Sequence, residues 1–135
     1  MARRCRAIFS VSVLSVSSVV NFSLFATPGM AQRRDEGARA FQKCISCHSV
    51  DPAEQNLPGP NLAGVVGRRA AALAGFDYSP AMKNAGAEGL VWSADALDHY
   101  LADPLEVLPG TTMSFPGHRA AAERRAVVVY LRRFP

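Results

Sequence analysis

Cys44-Ile45-Ser46-Cys47-His48 is the stretch from which the rest of this chain is read. The pentad is C-x-x-C-H, the spacing of c-type haem attachment. Near the end of a helix it brings both thiols to one side, where each can add across a vinyl group of the porphyrin. The adjacent His48 then presents an imidazole nitrogen to the iron. Two other chemistries use similar residues. A thioredoxin-like C-x-x-C follows a strand within a βαβ pattern, and this sequence contains no such pattern. A structural zinc site needs four ligands, and adding His99 or His118 to Cys44, Cys47 and His48 matches no zinc spacing. One covalently attached haem c, with its iron, is therefore the expected cofactor.

Outward from the pentad, the pattern is helical. Gly37, Phe41 and Cys44 stand at i, i+4 and i+7 and predict a first helix from about Arg34 to Ser46. From Val50 to Tyr78 the chain is rich in Gly, Pro and Asn, most densely at Asn56-Leu57-Pro58-Gly59-Pro60-Asn61, and predicts an extended loop. Ser79-Pro80 is an N-cap followed by proline at the first helical position, opening a short helix that Gly86 ends. Ser93 caps a third helix, with Asp95 in its first turn and Pro104 closing it. A fourth helix begins near Arg119 and sets Val127, Tyr130, Leu131 and Phe134 on one stripe, with Arg132 and Arg133 in the last turn. The expected fold class is all-α, about four short helices and long loops in a single domain. Such a chain has a thin core for its size, so something apolar and rigid must fill its middle.

Residues 1–31 read as a leader. Arg3, Arg4 and Arg6 form a basic head, an apolar stretch from Ala7 to Ala26 follows, and no acidic residue precedes Asp35. Gly29-Met30-Ala31 supplies small residues for cleavage between Ala31 and Gln32. Ser10, Ser12, Ser15, Ser17, Ser18, Asn21 and Ser23 interrupt the run that a retained spanning helix would need. The apolar middle also argues against a mitochondrial presequence, so the expected location is the periplasm, with residues 32–135 as the mature domain. Cleavage removes three arginines and no acid, which takes the formal net charge from +4 to +1. Nucleic-acid binding thereby loses its compositional support. Cys5 leaves with the leader, and Cys44 and Cys47 are too close together to staple distant segments.

A haem iron has a second axial position. Met82, Met113, His99 and His118 are the candidates. Met113 lies in Leu108-Pro109-Gly110-Thr111-Thr112-Met113, a turn-rich loop far from His48 in sequence that can approach from the opposite face. Met82 falls in the short second helix, where packing accounts for it. His99 and His118 are expected at the surface. The pair His48 and Met113 is the His/Met ligation of electron-carrying cytochromes.

With these residues assembled, the chain resembles the soluble class I cytochromes c of bacterial periplasms and mitochondria over about residues 36–133. The resemblance implies that Gly37 and Phe41 contact the last helix near Val127 and Tyr130. It implies that Pro60, in Gly59-Pro60-Asn61-Leu62, orients the ligating imidazole. Arg68, and Tyr78 in Gly75-Phe76-Asp77-Tyr78-Ser79, match the loop around the haem propionates, and Trp92 matches the propionate-bonding indole. Tyr100 matches a distal residue, Thr111 the residue beside the methionine loop, and Phe115 the aromatic at the exposed haem edge. Function would then be single-electron transfer and not enzymatic catalysis, since two filled axial positions leave no open coordination site.

The departures from the family concern partners. Mitochondrial-type members ring the haem edge with lysines, whereas this chain has only Lys43 and Lys83, and Thr112 stands where a lysine is common. Electrostatic steering should be weaker than in those members. The expected partners are redox proteins that dock transiently at the exposed haem edge of a monomer, with no nucleic acid and no membrane insertion after cleavage. The roles left open are a carrier between a membrane reductase and a terminal acceptor, a dedicated electron-accepting subunit of one exported dehydrogenase, and a haem enzyme or gas sensor with a labile sixth site.

Overall fold

The computed structural model describes residues 36–54 and 57–135. The expected leader over 1–31 and its cleavage point lie outside the described residues. The first helix, α1, is helical over 36–41 and then tightens into successive turns over 42–47. Bonds of the i→i−3 kind drive the tightening: the N–H groups of Gln42, Lys43 and Cys44 donate to the carbonyls of Arg39, Ala40 and Phe41. The helix expected through Ser46 therefore stops short, and the cysteines sit on turns.

Three capped helices follow, and each cap is a side-chain oxygen taking up an orphan N–H of the first turn. In α2 (Pro80–Ala87) Ser79 accepts from the Met82 N–H. In α3 (Ala94–Ala102) Ser93 accepts from the Ala96 N–H. Pro104 ends α3 as expected but also opens a further short helix, α4 (Pro104–Val107), in which Asp103 accepts from the N–H groups of Leu105 and Glu106. The last helix, α5 (Ala121–Leu131), starts two residues later than expected, and Ala120 gives it no side-chain cap. It also ends before Arg132 and Arg133. Instead of closing the last turn, Arg133 lays its guanidinium over Tyr130 and Phe134, 5.4 and 5.9 Å from the ring centroids.

The helices meet through a close crossing of α1 and α5. A Cβ on Gly37 would lie 2.7 Å from the Ala126 carbonyl oxygen and 2.8 Å from the Tyr130 Cβ, so only glycine lets the two backbones approach this far. One turn along, Phe41 packs on Tyr130 with ring centroids 5.1 Å apart. Helix α3 also packs on α5. The segment around 67–70, ahead of α2, runs antiparallel to 90–92, which joins α2 to α3. Gly67 and Ala70 donate to the carbonyls of Trp92 and Leu90, Trp92 donates to that of Arg68, and Arg69 bridges Val91.

The core these elements build is hollow. Among the described residues, eight of the eleven buried core hydrophobics, Phe41, Val65, Trp92, Leu97, Tyr100, Leu101, Val127 and Leu131, also line one cavity of about 370 Å³. Their inward faces form the wall of that cavity. Among the described residues no helix is long and apolar enough to cross a membrane.

Candidate functional site

All eleven residues singled out from the sequence, Cys44, Cys47, His48, Pro60, Arg68, Tyr78, Trp92, Tyr100, Thr111, Met113 and Phe115, line that cavity. The turn after α1 delivers the first three. The Cys44 carbonyl accepts from the N–H groups of both Cys47 (3.1 Å) and His48 (2.9 Å), which winds the pentad around one point. Cys44 is half-buried and Cys47 exposed, and no disulfide joins them. Burial, helped by the neighbouring Cys47 and opposed by Lys43, pushes the Cys44 thiol up to about 11.

His48 is held on one side only. Its Nδ1 lies 2.8 Å from the Pro60 carbonyl oxygen, so Nδ1 carries the proton and donates, and Nε2 keeps its lone pair. Burial pushes the imidazole below its usual value, against the effect of that bond, and the ring is neutral at pH 7. The loop is anchored on both flanks: Gly59 N–H donates to the Cys47 carbonyl and Leu62 N–H to that of Ser49, each at 2.8 Å. Gly59 was not singled out from the sequence as a site residue. A Cβ there would fall 2.6 Å from His48 Nδ1 and closer still to Cε1, so the ring occupies the space a side chain would need. Its position between two prolines was the available signal.

Arg68 and Trp92 face the cavity because the short antiparallel ladder pins both backbones. The Arg68 guanidinium donates to the carbonyls of Ala63 and Asn61, both at 2.9 Å, and thereby braces the loop that carries Pro60. Burial pushes Arg68 down, with the Tyr78 phenol opposing, and pushes Tyr78 up, with Arg68 and the backbone N–H of Leu73 opposing. On the methionine side, Tyr100 Oη and Thr111 Oγ1 are 3.0 Å apart, and Thr111 Oγ1 accepts the Met113 N–H at 3.4 Å. Trp92 backs Tyr100, with ring centroids 5.0 Å apart. Met82, assigned to packing, also lines the cavity.

The histidines divide. His99 is exposed on α3, as expected. His118, expected at the surface, is 1% exposed and bonds Glu123, and neither ring lines the cavity. The sequence showed only a histidine after a Pro-Gly turn, and burial there is decided by the chain folding back onto Leu101, whose carbonyl accepts the His118 N–H at 2.8 Å. Spending His118 on Glu123 also removes it from the four-ligand zinc arrangement. The remaining set fits a haem: two thiols on one turn, a singly tethered imidazole, a thioether on a braced loop, apolar walls and a few inward polar groups.

Fold and site together define a class, an all-α protein whose helices and loops surround one cavity lined by two neighbouring cysteines, a histidine and a methionine. The family described as Cytochrome c matches residues 35–134. Cytochrome c2 of Rhodoblastus acidophilus is 40% identical over 100 residues, covering 74% of this chain and 91% of that one. Cytochrome c2 of Blastochloris viridis is 32% identical over 129 residues, covering 96% and 93%. The solved structure of cytochrome c2 from Rhodospirillum centenum superposes with a TM-score of 0.71 at 36% identity, covering 75% of this chain and 97% of that one. The chain belongs to the cytochrome c family. Its cofactor is one covalently attached haem c with its iron, and it is an electron-transfer protein and not an enzyme.

Proposed function

We propose that the protein is an exported carrier, its leader cleaved between Ala31 and Gln32. It passes single electrons between a membrane reductase and a terminal acceptor in the periplasm, with His48 and Met113 as axial ligands and transient docking at the exposed edge near Phe115. Haem c supplies the one-electron Fe(II)/Fe(III) couple, and a methionine ligand raises its potential. The residues supply everything else. Pro60 fixes the His48 tautomer, Tyr100 and Thr111 hold the backbone at Met113, and the apolar wall excludes water. The observation that carries this reading is the pairing of two braced donors, His48 through Pro60 and Met113 through Thr111, on separate segments of one cavity wall.

The test is spectroscopic. The oxidised protein should show the weak near-infrared methionine-to-iron band. Met113→Ala should abolish it, lower the reduction potential and admit carbon monoxide to the reduced protein. An unchanged potential with no carbon monoxide binding would reject Met113.

One observation favours a second reading, a dedicated electron-accepting subunit of one exported dehydrogenase. Both lysines are already engaged, Lys43 with Glu123 at 2.9 Å and Lys83 with Asp77 at 2.8 Å, which leaves no lysine ring to steer acidic partners in general. Salt-insensitive transfer to a single co-purifying enzyme would select that reading.

A further inference from the structure

His118 is a buried ionisable side chain that the proposed electron transfer does not use. It follows the Pro116-Gly117 turn that closes the loop bearing Met113, and it is among the largest fully buried side chains. Its Nδ1 lies 2.8 Å from Glu123 Oε2 on α5. The same carboxylate oxygen accepts from Lys43 Nζ at 2.9 Å, and Lys43 immediately precedes Cys44. From α5, Arg124 Nη1 donates to the carbonyls of His118 (2.9 Å) and Arg119 (3.1 Å), while its Nε and Nη2 hold Asp98 of α3. The Phe115 ring packs edge-on against the imidazole, centroids 5.0 Å apart. The haem-bearing turn, the last helix and the end of the methionine loop thus converge on one carboxylate.

The imidazole is an expensive choice for this position. Its Nε2 is buried with no hydrogen-bond partner. An aliphatic side chain of similar volume would avoid that cost and pack as well. What an aliphatic residue lacks is an N–H donor aimed at Glu123. We propose that His118 is a positioning residue for the Met113 loop: its Nδ1–H ties the loop's end to Glu123 and, through Lys43, to the turn that carries the cysteines. The proposal rests on Met113 being the sixth ligand, and it extends that reading from the ligand to the device that keeps the ligand in place.

The holoprotein provides the test, with free imidazole as a probe that competes with Met113. His118→Leu removes the donor and keeps the bulk. Imidazole should then bind the oxidised protein at least about tenfold more tightly, the factor expected for losing one charge-assisted hydrogen bond. The near-infrared band should weaken correspondingly. His118→Asn, whose amide N–H can take the place of Nδ1–H, should restore affinity to near wild type. Glu123→Ala, which removes the acceptor at an exposed position of α5, should reproduce the His118→Leu result. A wild-type protein with no near-infrared band would overturn the Met113 reading itself. A normal wild-type band, with imidazole affinity unchanged in both His118→Leu and Glu123→Ala, would overturn the positioning role alone. So would a change confined to the melting temperature.

Discussion

The Cβ that an alanine at position 59 would carry has no room beside the His48 ring, and the loop cannot withdraw without breaking the Gly59–Cys47 hydrogen bond. Gly59→Ala should therefore destabilise the holoprotein by about 1–3 kcal/mol, the usual range for overpacking. Denaturant unfolding followed by haem absorbance measures it, and an unchanged midpoint would show that the ring has slack. At this scale the sequence was legible where chemistry is written in residue type and spacing. Cys44, Cys47 and His48 stand in an attachment pentad, and Met113 is a thioether in a turn-rich loop. It was opaque at Gly59 and His118. Neither position has a local pattern, and the role of each is set by a neighbour that only folding brings close.

Helices were legible where a cap announced them. Ser79-Pro80 and Ser93 announce α2 and α3, and Asp103-Pro104 has the same cap-then-proline form as Ser79-Pro80, yet its place at the end of α3 gives it the look of a stop. It opens α4. The first helix ended early because tight i→i−3 turns deliver the cysteines, and residue periodicity does not reveal that choice. The crossing of α1 and α5 depends on an absent side chain. Gly37→Ala would place a methyl group 2.7 Å from the Ala126 carbonyl oxygen, on backbone that cannot move aside cheaply. Set against the small helix-propensity gain of alanine, the clash should win. The variant should lose about 1–3 kcal/mol in thermal or denaturant unfolding, whereas Arg39→Ala, at an exposed position of the same helix, leaves this crossing untouched and serves as the comparison. A more stable Gly37→Ala protein would mean that the helices do not cross this closely.

For the molecule as a whole, the decisive quantity is the apolar surface that faces the cavity. The side chains of Phe41, Trp92, Tyr100, Val127 and Leu131 belong to the core and also line the cavity in which we propose the haem sits. Without the haem those side chains would meet water or one another, and the long loops offer no alternative core. The chain made without haem-attachment machinery should therefore lack cooperative unfolding and give a largely disordered amide spectrum. A compact apoprotein with a sharp melt would refute the hollow core. This feature was legible early, because four short helices joined by long loops cannot fill their own centre. The partner was not legible, since a docking preference depends on which surface charges are already paired.

The central claim, that Cys44 and Cys47 bond one haem which completes the core, is tested most directly by the intact mass of the purified exported protein under denaturing conditions. The mass should be that of the mature polypeptide plus one haem, with the pigment remaining on the chain through acid and organic solvent. A folded protein at the bare polypeptide mass, or a haem that washes free, would contradict it.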